Sequence, residues 1–265
     1  MAQWDCAELA RHLVDVGVVE TISPETVRRM LAADQLKPWH HHMWLSPTIP
    51  RDAAFADTVT AISDLYVCAL PPDQVVLCVD EKTSIQPRAR AAPTMPARRG
   101  EPVRVEQEYI RDGSLNLFGA FNTRTGEVIG WNAERKRAEE FISFLEAINA
   151  QTPPSVTTIH IVLDNLRVHK GKAVSAWLTE HRRFVFHFTP VHCSWMNQVE
   201  QWFSIIQRKA LRIADFDGPL ALDRHIHRYI AHWNRTAHPF NWTTKSVAKV
   251  LAKCRAVEGL PDAAG

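Results

Sequence analysis

Two apolar, β-branched runs in this sequence end in acid. Residues 74–79, QVVLCV, are followed by Asp80 and Glu81. Residues 158–163, TIHIVL, are followed by Asp164 and Asn165, with His169 five residues beyond the aspartate. An Asp or Asn after a strand can simply form a turn or cap a helix, so each acid alone has a structural explanation. Together they have a chemical one. If the two strands lie side by side in a sheet, both carboxylates occupy one edge. They then repel each other and cannot both stay ionised without positive charge nearby. A divalent cation is the usual remedy, and hard oxygen ligands favour Mg²⁺ or Mn²⁺ over zinc.

A third acid sits on a helix. From Asn197 onward, Val199, Phe203, Ile206, Ala210 and Ile213 recur at helical spacing as an apolar stripe. Glu200 borders that stripe in the first turn, so its carboxylate is expected to point toward the sheet. The same place suits an acid for the helix dipole alone. Three acids so placed in one domain point instead to a shared task.

Such acids need a rigid scaffold, and the remaining pattern supplies one. From residue 74 the expected order is strand (74–79), a hairpin of two strands (114–121 and 127–131) and a helix (138–150). A strand (158–163), a helix (171–181), a strand (183–188) and two helices (197–213 and 220–233) follow. This is a mixed α/β domain with its strands covered by helices on both faces. Ahead of it, residues 4–15 fit a short helix, and Ser23-Pro24 starts another after Gly17. Two short helices joined this way form a helix-turn-helix pattern, in which Thr26, Arg28 and Arg29 face the major groove. A plain helical hairpin is the alternative, because residues 1–52 carry five Lys/Arg against seven Asp/Glu. His40, His41 and His42 read as a solvated or phosphate-touching turn, and residues 46–50 as a linker. Phe55, Val59, Ile62 and Tyr66 mark a connecting helix.

Charge is unevenly spread. The net charge is only +2, but Lys82, Arg88, Arg90, Arg98, Arg99 and Arg104 stand against Glu101 alone in a stretch that also holds Pro87, Pro93, Pro96 and Pro102. The prolines forbid a long helix, leaving a basic loop suited to a polyanion or simply to solvent. The five cysteines are scattered without a CxxC pair, as in a reduced protein. No run of about 18 apolar residues predicts a membrane span. The N-terminus lacks the basic-then-apolar pattern of a signal peptide, so a cytoplasmic protein is expected.

The blocks VVLCVDEKTSIQ, HIVLDNLRVHKGKAVSAWL, FHFTPVHCSWMNQVEQWFSIIQRKALR and YIAHWNRTAHPFNWT carry a resemblance over nearly the whole chain. It resembles the DDE transposases, most closely the bacterial insertion-sequence 630 family of the mariner superfamily. Asp164 and Glu200 are separated by 35 residues, close to that superfamily's habit. The resemblance implies a ribonuclease-H-like core in which Asp80, Asp164 and Glu200 hold two Mg²⁺ ions, with Mn²⁺ as a substitute. It implies nicking at transposon ends followed by attack of the freed 3′-hydroxyl on target DNA, at TA. Glu81, Asn165, His169, Trp195 and Asn197 would support the acids or the DNA end, and Lys82, Arg88, Arg90, Arg98 and Arg99 would bind DNA. The expected partners are terminal inverted repeats, target DNA and a second copy of the chain on DNA, with no membrane and with association to the nucleoid.

Full-length relatives carry two helix-turn-helix units, and this chain has room for about one, so it looks shortened at its N-terminus. The expected layout is a partial helix-turn-helix region (1–45), a linker and connecting helix (46–70) and the catalytic domain (71–265). Three alternatives differ in kind. One is a ribonuclease-H-like nuclease on branched or hybrid nucleic acid. Another is a truncated or domesticated protein that only binds DNA. The third, a zinc hydrolase on His160, His169, His187 and His192, lacks a compact ligand motif.

Overall fold

A computed structural model of the chain describes residues 4–33, 52–245, 247–249 and 251–252. The triple-histidine turn and the 46–50 linker fall outside them. The chain divides into two compact units, residues 1–46 and 47–265. In the first, α1 (Cys6–Asp15) opens on a capping box between Asp5 and Glu8. Gly17, in the left-handed region, turns the chain. The second helix, α2 (Pro24–Ala33), is capped by the Ser23 hydroxyl.

The second unit opens with α3 (Ala53–Val67), capped by Asp52. Five strands then build one sheet in the order β5-β4-β1-β6-β7. These are β1 (Gln74–Ile85), β4 (Leu115–Asn122), β5 (Val128–Ala133), β6 (Thr158–Leu163) and β7 (Phe184–Phe188). The β1–β4 and β4–β5 pairs are antiparallel, whereas β1–β6 and β6–β7 are parallel. Alternation along the strands feeds two cores. Val76, Cys78, Leu117, Phe121 and Val162 pack toward α3, α6 (Val199–Ile206) and α7 (Pro219–Asn234). Leu77, Val79, Phe118, Ile159, Ile161 and Leu163 pack toward α4 (Ala138–Gln151) and α5 (Lys172–Glu180).

Three elements depart from the pattern expected of the sequence. The first strand does not stop at Val79. It runs on to Ile85, because β4 keeps pairing with it through Asp80↔Gly119, Glu81↔Phe118 and Lys82↔Leu117. The helix expected over 197–213 is α6 followed by a π-helical turn, Gln207–Leu211. The wider turn shifts the buried stripe, so Leu211 is buried and Ile213 exposed. Finally, the basic stretch is not all loop. Its ends pair as a small antiparallel ribbon, β2 (Arg88–Arg90) with β3 (Tyr109–Arg111).

The seat of α6 is cut by a glycine. A side chain at Gly119 would meet the Phe203 ring at 2.9 Å, so only glycine lets this helix lie so close to β4. That approach fixes the height of Glu200 above the sheet.

Candidate active site

Asp80 and Asp164 occupy matching positions on neighbouring parallel strands. The β1–β6 pairing runs as far as Cys78↔Val162, and each aspartate stands two residues further along its own strand. The even spacing puts both on the face that carries α6. Asp80 is therefore not at a strand tip but at the point where β1 loses β6 and keeps β4.

The loop before α6 reaches across to Asp80. Asn197, buried, donates from Nδ2 to the Val79 carbonyl at 2.8 Å and to Asp80 Oδ2 at 3.4 Å. Tyr66 of α3 holds the same loop by donating to the Met196 carbonyl at 2.8 Å. Only an apolar stripe flagged Tyr66 in the sequence, so this tie was invisible there. Glu200 follows in the first turn of α6. Contrary to expectation, it is exposed rather than turned onto the sheet. The neighbouring Val199 takes the place over Gly119 of β4, so the contact with the sheet falls to the apolar residue.

Electrostatics join what the backbone brings near. Asp80 is pushed up to about 7, first by burial and then by the charges of Glu200, Glu81 and Asp164, against a hydrogen bond from the Glu81 backbone N–H. Lys82 stands on the same strand face, half-buried. Burial lowers its pKa, and the Glu200 charge partly restores it.

His169 supports Asp164 from behind. Its Nδ1 lies 3.1 Å from Asp164 Oδ1, and its Nε2 lies 2.9 Å from Glu81 Oε1. The imidazole is fully buried and the Glu81 side chain is 5% exposed. Burial opposes charge on this ring, yet the two carboxylates outweigh it and raise the pKa to about 9. Burial would likewise raise Asp164, but His169 and the Leu166 N–H bring it below the ordinary value. Asn165 faces away from the acids, donating to the Thr189 carbonyl and accepting from Lys170. Trp195 is 39% exposed and stacks in parallel on Trp242 at 6.1 Å.

The basic residues divide. Arg98 and Arg99 are exposed, and Arg88 covers the Tyr109 ring at 4.9 Å. Arg90 is turned inward and does not present itself to a phosphate. Its side chain is 8% exposed, with Nε 2.9 Å from Asp215 although not aligned as a hydrogen bond, and it donates to the Glu106 and Ile213 carbonyls. In the first unit, Arg28 pairs with Glu25 at 2.7 Å, Thr26 contacts the Ser23 hydroxyl, and Arg29 is exposed.

The residues suit a hard cation in kind. Three like charges press on Asp80, and the buried Asn197 Oδ1 beside it has no partner among the described residues. An oxygen-rich set in need of positive charge fits Mg²⁺ or Mn²⁺. No group of three or more His, Cys, Asp or Glu among the described residues is drawn together at ligand spacing. The four histidines of the zinc alternative do not converge. His160 and His187 meet each other at 2.9 Å, and His169 faces the carboxylates. No helix among the described residues is long and apolar enough to cross a membrane.

A family model described as DDE superfamily endonuclease matches residues 75–218, a span that contains Asp80, Asp164 and Glu200. The "Insertion element IS630 uncharacterized 39 kDa protein" of Shigella sonnei is 28% identical over 134 residues. The match takes in 51% of this chain and 38% of that protein, well under half the length of this curated relative. Among solved structures, the Mos1 mariner paired end complex with Mn is similar with a TM-score of 0.54 at 14% identity, covering 98% of this chain and 75% of that one. The Mos1 strand transfer complex gives 0.52 at 13% identity over the same shares. At such identity the likeness establishes the fold, a ribonuclease-H-like mixed sheet flanked by helices.

Proposed function

This chain belongs to the DDE superfamily endonucleases, and from that membership we propose that it is a DNA transposase that cleaves transposon ends and joins them to target DNA. The observation that carries the reading is the register of Asp80 and Asp164 on adjacent parallel strands, with Glu200 close enough for its charge to act on Asp80. Asp80, Asp164 and Glu200 would hold divalent cations, two Mg²⁺ in the family manner or Mn²⁺ in their place. The chemistry such ions supply is activation of the attacking oxygen and stabilisation of the leaving one.

The chain's own residues prepare that chemistry. Asn197 ties the start of α6 to the Asp80 carboxylate, so the strand and the helix cannot drift apart. His169 keeps Asp164 ionised and in one rotamer. The exposed Arg98 and Arg99 are available to phosphates, as is Arg29 on α2 in a helix-turn-helix region. Terminal inverted repeats, a TA target, a second copy of the chain on DNA and a cytoplasmic, nucleoid-associated place belong to the same reading. The intact acid set favours it over a protein that only binds DNA.

The test is nicking of a labelled duplex that carries the inverted repeat flanking the gene. Cleavage is expected with Mg²⁺ or Mn²⁺ and is expected to vanish in EDTA and in Asp80→Asn. Cleavage that persists in EDTA, or that zinc alone restores, would refute the site.

A further inference from the structure

Among the described residues, one face of α7 is basic, exposed and free of carboxylate partners. Arg224, Arg228, His232 and Arg235 follow one another at steps of four, four and three residues, so they lie on one side of the helix. All four are exposed, while Leu222, Ile226, Ile230 and Trp233 bury the opposite side in the core. Among the described residues no ion pair engages Arg224, Arg228 or Arg235. By contrast Arg28, Arg90, Arg104 and Arg137 each meet a carboxylate. The acid within α7 is committed elsewhere, since Asp223 accepts from Asn132 Nδ2 at 2.9 Å and lies 3.6 Å from His227. A shallow groove of about 410 Å³ runs along this face, lined by His225, Arg228, Tyr229, Ala231, His232 and Arg235.

Like charges lined up on one face repel, and a polyanion relieves the repulsion while releasing its own counterions. At 1.5 Å per residue, Arg224 to Arg235 spans about 16 Å. One strand of duplex DNA presents about five phosphates over that length. Guanidinium groups suit this partner because their planar forks match phosphate oxygens, and the Tyr229 hydroxyl adds a donor within the groove.

We propose that the outer face of α7 is a DNA-backbone contact in its own right. It is carried by a different element from each of the three acids, and it takes duplex DNA without regard to sequence. This rests on the reading that the chain acts on DNA.

The experiment measures binding of a labelled duplex lacking any inverted-repeat sequence, in EDTA, over a salt series. The full chain is compared with a variant carrying Arg224→Gln, Arg228→Gln and Arg235→Gln. The variant is expected to flatten the plot of log affinity against log salt by about 2–3 units, near 0.9 for each phosphate that is no longer neutralised. Removing three exposed charges elsewhere, at Arg135, Lys136 and Arg182, is expected to change the slope by less than about one unit. If the triple variant melts early, Arg228→Gln and Arg235→Gln singly carry the test, each with about 0.9 unit. A triple variant with the parent's affinity and slope, or one no different from the control variant, overturns the proposal and leaves the transposase reading standing. So does a variant that keeps its DNA affinity and loses binding to anionic phospholipid vesicles. A parent chain that binds no duplex at all overturns both.

Discussion

His169 Nδ1 lies 3.1 Å from Asp164 Oδ1, and the same ring reaches Glu81 Oε1 at 2.9 Å on its other side. Asp164 is thus the partly exposed end of a carboxylate–imidazolium–carboxylate chain whose other two members are buried, and its rotamer is set from within the protein.

Removing the middle of that chain leaves the buried Glu81 carboxylate alone, whereas removing Glu81 leaves His169 still paired with Asp164. His169→Leu is expected to lower the unfolding free energy by about 3–5 kcal/mol in denaturant titrations, and Glu81→Met by less. Replacing both at once removes the stranded Glu81 charge, so the double variant is expected to be more stable than His169→Leu alone. A double variant whose loss equals the sum of the two single losses would show that the residues do not act as a pair.

In the metal-free protein three groups are expected to give separate pH dependences. Asp80, raised to about 7, contributes stability that is whole below its ordinary value of about 4 and lost as pH rises through 7. His187, lowered to about 4 by burial and by neighbouring His160, stays neutral in the folded state. An unfolded histidine takes up its proton near pH 6.5, so stability falls as pH drops from there toward 4. His169 is raised to about 9. Its contribution is whole below about pH 6.5 and is lost as pH rises through 9. Thermal melting in EDTA across this range checks them. The stability difference between the parent and His187→Gln should change between about pH 6.5 and 4 in the direction given for His187, and a difference that is flat across that window would contradict the assignment.

Glu200→Gln keeps size and hydrogen-bonding capacity and removes one negative charge. The residue is exposed in a first helical turn, so the melt should shift by no more than the ~0.3–1 kcal/mol of a dipole contact. Nicking should fall by orders of magnitude if the acid holds an ion. Glu180→Gln is the silent control. Asp215→Asn is expected to lower stability through Arg90 while sparing the chemistry. Wild-type nicking by Glu200→Gln would remove this residue from the site.

The basic stretch is expected to behave as two kinds of arginine. Alanine at Arg98 and Arg99 should leave the melt unchanged and flatten the salt dependence of DNA binding by up to about one unit per residue. Alanine at Arg90 should do the reverse, because its buried guanidinium holds Asp215 and two carbonyls. Equal salt slopes for the two variants would contradict that division.

While the pairing of the first strand with the one that ends at Leu163 entered only as a condition, the sequence by itself determined the order of the main elements and put acids after two apolar strands and in a first helical turn. These are local signals: apolar period, caps, turn residues and acids that end hydrophobic runs. The family match and the shared fold agree with the fold expected of that order. What only the tertiary structure decided is where those side chains meet others. β4 extends the first strand past Asp80, and that pairing cannot be read from residues 74–79. The exposure of Glu200 depends on how α6 seats on β4, with Val199 and Phe203 over Gly119. The His169 link to Glu81 joins positions 88 residues apart, and Arg90 finds Asp215 across a still longer gap. Periodicity reports which face of an element is buried. It carries no information on which distant group will stand opposite, because that is set by packing the whole sheet at once.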